Sequence, residues 1–296
     1  MERLLIPHPT PLTCEPITTG KELADCWVGG CRFAELQTRC LSRMVPTPLS
    51  VYVRSDAWVP CEYLSELAAD GIHCAYVNEA GETLAWTGGT ADGPAADSVS
   101  LPAPAACFKI TVPWDLLAVN EYVVGRLEND EINGEICDGA RIEGRLHLGA
   151  GSRLLPGVFI EGNVWIGDQC KIGPNCYIRG NTAIGDGCHI GQAVEVKNSL
   201  VMPGASFGHL SYCGDSIIGE NTNFGAGTIT ANFRHDGANN RSIVEAELLD
   251  TGRRKLGAMI GDNVHTGINT SIYPGRKIWP GLSTRPGDVV QRDLKP

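Results

Sequence analysis

The sequence predicts a parallel β-helix preceded by a small α/β region. The main observation is an aliphatic residue at every sixth position from Ile136 to Met202. Helices repeat every 3.6 residues and strands every two, whereas hexapeptide turns of a β-helix repeat every six. A second observation is that glycine often follows the aliphatic residue, and a small or β-branched residue lies four positions after it. The periodic positions are Ile136, Ile142, Leu148, Leu154, Ile160, Ile166, Ile172, Ile178, Ile184, Ile190, Val196 and Met202.

The composition limits the class of protein. The chain has 296 residues, 43% of them hydrophobic, which is enough for two domains with packed cores. A formal net charge of −10 argues against general nucleic-acid binding. The amino-terminal segment lacks an uninterrupted apolar stretch of signal length, and no later run approaches a membrane span. We therefore expect a cytoplasmic protein without membrane contact.

The twelve cysteines do not form a recognisable disulfide or metal pattern. No CxxC pair occurs, and Cys137, Cys170, Cys176 and Cys188 lie within the six-residue repeat where small residues are expected. We interpret them as reduced thiols in the core or at corners.

Three regions follow one another along the chain. Residues 1–105 combine apolar alternation in LSVYVRSDAWV, a helix-like EYLSELAAD and a strand-like HCAYVNEAGETLAW, which predict a small α/β domain. Residues 106–130 follow a loose Gly/Ala/Pro-rich stretch and form a linker and connecting helix, with helical spacing over 113–128. This helix is expected to brace the first coil. Residues 131–296 are assigned to the β-helix.

The six-residue period is interrupted twice after Met202. The first break contains GHLSYCGDS, after which Ile218 and Phe224 restore the period. The second is an excursion from about residue 232 to 258, and the period then returns. Loops that leave a solenoid commonly carry its chemistry, so both breaks are candidate sites. The period returns at Ile260, Thr266, Ile272, Ile278, Thr284 and Val290.

One stretch carries a specific resemblance. VEVKNSLVMPGASFGHLSYCGDSIIGENTNFGAGTITANF, residues 194–233, resembles the glucosamine-1-phosphate N-acetyltransferase domain of the bifunctional enzymes that make UDP-N-acetylglucosamine. DTGRRKLGAMIGDNVHTGINTSIYPG is similar to the sugar-1-phosphate nucleotidyltransferase/acetyltransferase variants of that family. The resemblance implies a left-handed β-helix, a homotrimer, and clefts between subunits where acetyl-CoA meets the amino sugar phosphate. No metal is expected for acetyl transfer.

His209 is the candidate general base. An imidazole with a pKa near about 6.5 can accept a proton from an attacking amine at neutral pH. A histidine in a loop is otherwise most simply exposed or structural, but the matched flanking residues favour catalysis here. By resemblance, His209 deprotonates the 2-amino group as it attacks the thioester, and Asn232 lies near the reacting amine.

Several polar residues are candidates for holding the sugar phosphate. Arg179 and Lys197 are 18 residues apart, and three six-residue faces make one coil, so both should stack on one corner and clamp a phosphate. Each alone could equally be a solvated surface charge. The substrate-binding candidates, implied by the resemblance together with this spacing, are Arg179, Glu195, Lys197, Tyr212, Asn223 and Arg241. Tyr212 could instead be a packing residue and Asn223 a turn residue.

The cofactor candidates lie near two turns. Gly225-Ala226-Gly227 allows close backbone approach, and by resemblance the Ala226 amide faces the thioester oxygen. Ordinary β-helix turns also use Gly-Ala-Gly. Basic residues could contact CoA or sugar phosphates, or form a solvated turn. The cofactor-binding candidates are Ala226, Gly227, Arg253, Arg254 and Lys255.

Some features depart from the family and keep other functions open. A lysine of the family aligns with Ala238, with Arg241 the nearest basic residue, and a CoA-contacting serine aligns with Ile268. The glycine-rich phosphate loop of the uridyltransferase half has no counterpart, which predicts a shortened amino-terminal module without nucleotidyl transfer. The alternatives are a cryptic nucleotidyltransferase site in residues 1–105, a non-catalytic trimeric scaffold, and a zinc lyase. His147, His189 and His209 have offsets that do not suit the zinc site.

Overall fold

The computed structural model describes residues 2–296 and divides the chain into two compact units. Of the described residues, the first contains 2–11, 20–26 and 31–111, and the second contains 12–19, 27–30 and 112–296. The sequence boundaries differ from this division. The second unit takes two short segments from the stretch assigned to the amino-terminal domain, and the first unit extends to residue 111.

The first unit is built on a five-stranded mixed sheet. The two pairs at its edges are parallel, and the two inner pairs are antiparallel. In spatial order its strands are Arg3–Ile6, Val51–Arg54, Thr83–Thr87, Cys74–Val77 and Val99–Pro102. Further short strands are Cys31–Arg32 and the antiparallel pair Ala57–Trp58 and Phe108–Lys109. The predicted small α/β fold is confirmed.

Two helices accompany this sheet: α1, Phe33–Arg43, and α2, Cys61–Leu67. A 3₁₀ turn spans Leu23–Asp25. The buried Gln37 of α1 donates through Nε2 to the carbonyl of Ala57 at 2.6 Å. This hydrogen bond connects α1 to the short strand Ala57–Trp58.

The second unit is a parallel β-helix in which each coil contributes one strand to each of three faces. Face 1 contains Glu135–Ile136, Arg153–Leu154, Lys171–Ile172, His189–Gln192, Ser206–His209 and Asn223–Phe224. Face 2 contains Tyr177–Arg179, Glu195–Lys197, Tyr212–Gly214, Ile229–Thr230, Ser271–Ile272 and Val289–Val290. Face 3 contains Glu131–Ile132, Thr182–Ile184, Leu200–Val201, Ile217–Ile218, Met259–Ile260 and Lys277–Ile278. The long strands Arg141–Leu148 and Phe159–Ile166 run along face 2 and continue onto face 3.

The aliphatic repeat forms the core of this unit, as predicted. Residues of the repeat from Leu148 to Val196 are fully buried and stack in parallel register from coil to coil. On face 1 the column includes Phe207 and Phe224, whose rings stack with centroids 4.2 Å apart, and parallel bridges from Asn223 to His265 and from His265 to Ser283 continue the face. Ile136 and Ile142 in the first coil are less buried because no earlier coil covers them, and Ile136 is 38% exposed.

The period does not run unbroken to Met202, and the first predicted break does not exist. Ile184 pairs with Val201, which is 17 residues on, whereas Ile166 and Ile184 are 18 apart. Val201 likewise pairs with Ile218 after 17 residues. Two corners between faces 2 and 3, at Asn198 and Asp215, are each one residue shorter than the corner at Gly180. The sequence period is therefore shifted by one residue at each corner, and the coils continue through GHLSYCGDS. Met202 is buried at a corner and does not occupy the stacked position.

Helix α3, Pro113–Val124, belongs to the second unit and ends four residues before the predicted limit. The Asp115 carboxylate caps it by accepting the Val112 backbone N–H at 3.0 Å. Asn120 donates to the Asn181 carbonyl, and Asn163 donates to the Val124 carbonyl. The helix therefore packs along face 3 of the middle coils and does not brace the first coil, because its buried side meets the outer surface of those strands.

The second excursion is confirmed as a loop that leaves the coil and returns to it. It contains an antiparallel hairpin of Arg241–Val244 and Glu247–Asp250. Before and after the hairpin, Phe233 and Lys255 form an isolated bridge that closes the base of the loop. The coil resumes with the strand Met259–Ile260, which pairs with Ile217–Ile218.

Two amino-terminal segments complete the second unit. One includes the 3₁₀ turn Leu12–Cys14, and the other the strand Trp27–Val28. Glu15 accepts a hydrogen bond from the indole Nε1 of Trp279 at 3.2 Å. In residues 2–296 no helix is long and apolar enough to cross a membrane.

Lys277 is a buried base in the last coils. Its side chain is 2% exposed, its ammonium donates to the Ile243 carbonyl at 2.8 Å, and it lies 5.9 Å from the Trp114 ring centroid. Burial lowers the pKa of Lys277 from 10.5 to about 8, against the opposing charge of Asp293. Between these two values the unfolded chain binds a proton that the folded chain has released.

We therefore expect the Lys277 contribution to stability to become more favourable as pH rises from about 8 to 10.5. Over this window the free energy of unfolding of the wild type should rise by about 3 kcal/mol relative to that of Lys277→Met, because each pKa unit corresponds to about 1.4 kcal/mol. Urea unfolding of both proteins at the two ends of the window measures the difference, in which titration of other groups cancels. A pH-independent difference would contradict the prediction.

Candidate functional site

His209 lies at the corner where face 1 passes into face 2, which we call the His209 corner. It is the last residue of the strand Ser206–His209, and its side chain is exposed. It is therefore placed by a strand end and not by a break in the coil, as the sequence had suggested. Leu210 follows in a left-handed conformation with φ +52°, which turns the chain toward Tyr212 on face 2. Within residues 2–296 the His209 imidazole has no hydrogen-bond partner.

Arg179 and Lys197 lie side by side on face 2, in adjacent coils. The parallel register pairs Arg179 with Lys197, as the 18-residue spacing predicted. Each cation is also paired with a carboxylate. Arg179 donates to Glu195 Oε1 through Nε at 2.8 Å and Nη2 at 2.7 Å, and Lys197 Nζ lies 2.8 Å from Asp215 Oδ2. The two ion pairs leave this part of face 2 without net charge.

Asp215 lies at the corner where face 2 passes into face 3, which we call the Asp215 corner. Its backbone has φ +48°, a left-handed conformation that glycine adopts most easily. Earlier coils have Gly162 and Gly180 at the equivalent position, with φ +80° and +72°. In the coil immediately before Asp215 this position is Asn198, at φ +46°. Asn and Asp are the residues that best replace glycine in this conformation.

The Asp215 carboxylate is 4% exposed and accepts three hydrogen bonds. Oδ2 accepts from the Lys197 ammonium and from Asn232 Nδ2, the latter at 2.5 Å. Oδ1 accepts from Asn198 Nδ2 at 3.1 Å. A buried carboxylate requires such partners, because without them its desolvation is strongly unfavourable. Asp215 is thus the centre at which side chains from three coils meet.

Tyr212 and Asn232 contact each other beside this carboxylate. Asn232 Nδ2 donates to the Tyr212 hydroxyl at 2.9 Å. Burial, and then the charges of Asp215 and Glu195, raise the pKa of Tyr212, which keeps its hydroxyl protonated. Gly214 makes room for the pair, since a Cβ there would lie 2.3 Å from the Tyr212 hydroxyl oxygen and 2.7 Å from Asn232 Nδ2.

The network continues to helix α3 through Glu121. Its carboxylate accepts from Asn198 Nδ2 at 2.6 Å and pairs with Arg253 Nη2. Arg253 is only 20% exposed at its side chain, so it is an internal link between the loop base and α3. The sequence had offered Arg253 as a phosphate contact, and the structure places its charge against Glu121.

The Gly-Ala-Gly turn lies at the His209 corner, one coil further on. The Gly227 N–H donates to the His209 carbonyl at 3.2 Å, so this amide already has an acceptor. The Ala226 N–H has no acceptor in the part of the chain that the structure describes. Ala226 uses its carbonyl to accept the Asn269 N–H at 2.8 Å. Of the two amides, Ala226 is therefore the one open to a ligand.

The remaining candidates lie away from the Asp215 corner. Asn223 is on face 1, in register with Ser206. Arg241 begins the hairpin and is exposed. Arg254 donates to the Gly237 carbonyl at 3.2 Å, and the side chain of Lys255 is exposed beyond the bridge to Phe233. Within one chain these residues do not join the cluster.

Sequence reasoning missed three members of the cluster. The motif around His209 contains Asp215 without indicating a role for it, and the motif analysis assigns no role to Asn198 or Glu121. Asn198 and Asp215 are 17 residues apart at a corner that is glycine in earlier coils, and this signal could have identified them. Glu121 lies in a distant helix and had no sequence signal. Among residues 2–296 there is no group of three or more His, Cys, Asp or Glu placed to hold a metal ion.

The first unit contains a separate cavity of about 310 Å³. Beside it Arg54 forms a two-pronged ion pair with Asp56, at 2.9 and 2.8 Å. Burial and the Arg54 charge lower the pKa of His8. The cavity is lined by Leu5, Pro7, His8, Thr10, Glu22, Leu23, Ala24, Ser55 and Asp56. Its ionisable lining residues are His8, Glu22 and Asp56, and the charge of Asp56 is paired with Arg54.

Comparison with known proteins relates the carboxyl-terminal part of the chain to sugar-nucleotide enzymes. Residues 160–270 match the family model described as the GMPPB C-terminal domain. A bifunctional sugar-1-phosphate nucleotidylyltransferase/acetyltransferase of Sulfurisphaera tokodaii is 42% identical over 182 residues, covering 62% of this chain and 45% of the relative. A bifunctional protein GlmU of Methanocaldococcus jannaschii is 40% identical over 187 residues, covering 62% and 44%.

The chain spans less than half the length of these curated relatives. Among solved structures, the UDP-N-acetylglucosamine O-acyltransferase LpxA of Moraxella catarrhalis aligns over 52% of this chain and 67% of its own, at 15% identity and a TM-score of 0.32. That score is too low to support an argument about the site. The sequence matches are much stronger, and they agree with the motifs of residues 194–233. The carboxyl-terminal part of this chain is therefore homologous to the bifunctional sugar-1-phosphate nucleotidylyltransferase/acetyltransferases, the family that its motifs resemble.

Proposed function

We propose that this protein is an acetyl-CoA-dependent N-acetyltransferase acting on glucosamine-1-phosphate or a closely related amino sugar phosphate. The observation that carries the proposal is that a single short strand of face 2, Tyr212–Gly214, connects the corner with the exposed His209 imidazole to the polar cluster at the Asp215 corner. The relative whose name includes acetyltransferase supports the reaction class. Twelve cysteines without a disulfide support a reducing, cytoplasmic location.

The reaction needs a base for the attacking amine. In the proposed step the 2-amino nitrogen attacks the thioester carbonyl carbon, and its proton passes to the His209 imidazole. The carbon–sulfur bond then breaks, and the departing thiolate takes that proton to leave as free CoA. His209 suits this role because its ring is exposed and has no hydrogen-bond partner among residues 2–296.

The oxyanion of the tetrahedral intermediate needs donors. The Ala226 N–H supports this part of the proposal, since it lies at the same corner, one coil from His209, and is not used by a neighbouring carbonyl. Gly227 contributes its left-handed turn, φ +78°, and a Cβ there would lie 2.3 Å from Asn269 Oδ1. The contacts with CoA phosphates would then fall to the exposed Arg254 and Lys255, while Arg253 stays with Glu121.

The sugar would lie along face 2, with its phosphate near Arg179 and Lys197. Arg179 is the more available cation, at 34% side-chain exposure against 16% for Lys197. A phosphate arriving there would compete with Glu195 for the Arg179 guanidinium. Glu195 would then be free to accept a hydrogen bond from a sugar hydroxyl or the amine. Asn223 and Arg241, which lie apart within one chain, could complete the site from a neighbouring subunit.

His209→Ala should lower kcat for acetyl transfer to glucosamine-1-phosphate by roughly 10²–10⁴-fold, because the general base is lost. The assay measures release of the CoA thiol. His189→Ala is the matched control, since His189 lies on the same face one coil earlier, and it should change kcat little. Full turnover by the His209 variant would refute the assigned base, and CoA binding without turnover by the wild type would favour a scaffold.

Arg179→Gln should raise KM for glucosamine-1-phosphate roughly 10- to 100-fold, the range expected for losing hydrogen bonds to a charged group. KM for acetyl-CoA should stay unchanged, and turnover of unphosphorylated glucosamine should be affected much less. Arg153→Gln is a suitable control, because Arg153 forms a comparable pair with Glu135 on face 1. Equal effects on both sugars would show that Arg179 does not bind the phosphate.

A homotrimer is part of the proposal, and exposed apolar side chains on face 2 support it. Ile229 and Val289 are in the same outward row as Tyr212 and are 39% and 52% exposed. Leu210 and Ile268, on the His209 side of this face, are 64% and 53% exposed. Exposed apolar side chains grouped on one face in this way support a protein interface there.

Val289→Asp should dissociate the assembly, because it places a charge in the proposed interface without disturbing the core. Light scattering should give three times the 31.6 kDa chain mass for the wild type and less for the variant. Leu248→Asp, at an equally exposed apolar position on the hairpin, should keep the wild-type mass. A monomeric wild-type protein with full activity would contradict a site shared between subunits.

A further inference from the structure

Asp215 is not accounted for by the acetyl-transfer chemistry described above. It is a nearly buried carboxylate in a backbone conformation that earlier coils give to glycine. A non-glycine residue is less favourable than glycine in that conformation, and Asp is among those that tolerate it because its short side chain can form local hydrogen bonds. Its contacts show what the residue does there, because a carboxylate can accept hydrogen bonds but cannot donate them.

The carboxylate fixes which way the Asn232 amide points. Asp215 Oδ2 lies 2.5 Å from one end of that amide, and only the NH₂ end can form a hydrogen bond with it. The second N–H of the same group donates to the Tyr212 hydroxyl oxygen. Both amide protons are thereby used. The Asn232 carbonyl oxygen, Oδ1, accepts no hydrogen bond within residues 2–296.

The orientation of Asn232 in turn fixes the direction of the Tyr212 hydroxyl. Because this oxygen accepts from Asn232, its own proton is left to donate elsewhere. No acceptor for that proton is present in the described part of the chain. The pair thus offers a ligand one donor, the Tyr212 O–H, and one acceptor, Asn232 Oδ1, side by side. A sugar hydroxyl or a neutral amine matches this arrangement, because each can donate and accept at once.

We propose that Asp215 is a positioning residue that sets the donor and acceptor directions of the Asn232–Tyr212 pair for recognition of a hydroxyl or amino group of the acceptor sugar. This inference rests on the proposed function for the identity of the ligand. The hydrogen-bond directions themselves do not depend on it. Gly214 and the two shortened corners supply the space and the register in which the three side chains meet.

A pair of variants tests the direction of the bonds separately from charge and folding. Asp215→Asn allows the amide of Asn232 to turn either way, so KM for glucosamine-1-phosphate should rise about tenfold or more. The swap variant, Asp215→Asn with Asn232→Asp, keeps the same two side chains and the same net charge. It restores an amide–carboxylate contact between the two positions but reverses it. The Tyr212 hydroxyl must then donate to the carboxylate introduced at position 232, in place of the sugar.

The expected result is that the swap variant recovers much of the thermal stability that Asp215→Asn alone loses. KM for the sugar should stay raised in the swap variant, and KM for acetyl-CoA should be unchanged. Tyr212→Phe should raise the sugar KM in the wild type and have little further effect in the swap variant. If the swap restores the sugar KM together with stability, Asp215 is only a structural residue and the inference is wrong.

A measurement without substrate separates this inference from the proposed function. In the wild type both Asn232 side-chain protons are hydrogen-bonded, so NMR should show them exchanging with water much more slowly than those of the exposed Asn263. Exchange as fast as at Asn263 would overturn the assigned directions whatever the enzyme acts on. Slow exchange in a protein that does not turn over glucosamine-1-phosphate would leave the directions standing and reject the substrate.

Discussion

The register between successive coils is the constraint on which the site depends. Buried side chains such as Ile178, Val196 and Cys213 stack directly over one another, and each backbone hydrogen bond along a face repeats that alignment. A slip of one residue would turn the buried column outward, so the register is strongly fixed. Polar residues outside the column are then brought together without any packing preference of their own. Arg179 meets Lys197, and Tyr212 follows Glu195, for this reason alone.

The two shortened corners change what this register presents. The shortened corners keep the left-handed conformation of the longer ones, with φ +46° at Asn198 and +48° at Asp215 against +72° at Gly180. Asn198 and Asp215 occupy these turns where earlier coils have glycine, and both bring side chains that hydrogen-bond to their neighbours. At these corners glycine, which adopts the left-handed conformation most easily, is replaced by residues whose side chains form a buried polar cluster. Such a cluster is favourable only when each member has a partner, and here Lys197, Asn198 and Asn232 satisfy Asp215.

The loop and helix α3 extend this cluster beyond the coils. Glu121 joins Asn198 to Arg253, so the helix, the corner and the base of the excursion form one hydrogen-bonded system. Lys277 makes a second link, from the last coils to the hairpin carbonyl of Ile243. The excursion is therefore tied to the coils at its base and along the first hairpin strand, where Ser242 donates to the Gly275 carbonyl, while the second strand Glu247–Asp250 is exposed. This arrangement places the loop beside face 2. The positions of the polar side chains on that face are fixed by the regular spacing of the coils.

The sequence by itself determined the fold and the stacking of Arg179 on Lys197, because a six-residue period of aliphatic residues has one structural solution and fixes which residues repeat. It also made His209 a candidate, through the motif of residues 194–233. Only the tertiary structure showed that Val201 replaces Met202 in the column, since deletion of one residue at a tight corner leaves the local sequence pattern almost unchanged. The partners of Asp215 and the link through Glu121 were likewise decided in three dimensions, because hydrogen bonds between distant side chains depend on distance and direction, which no spacing along the chain records.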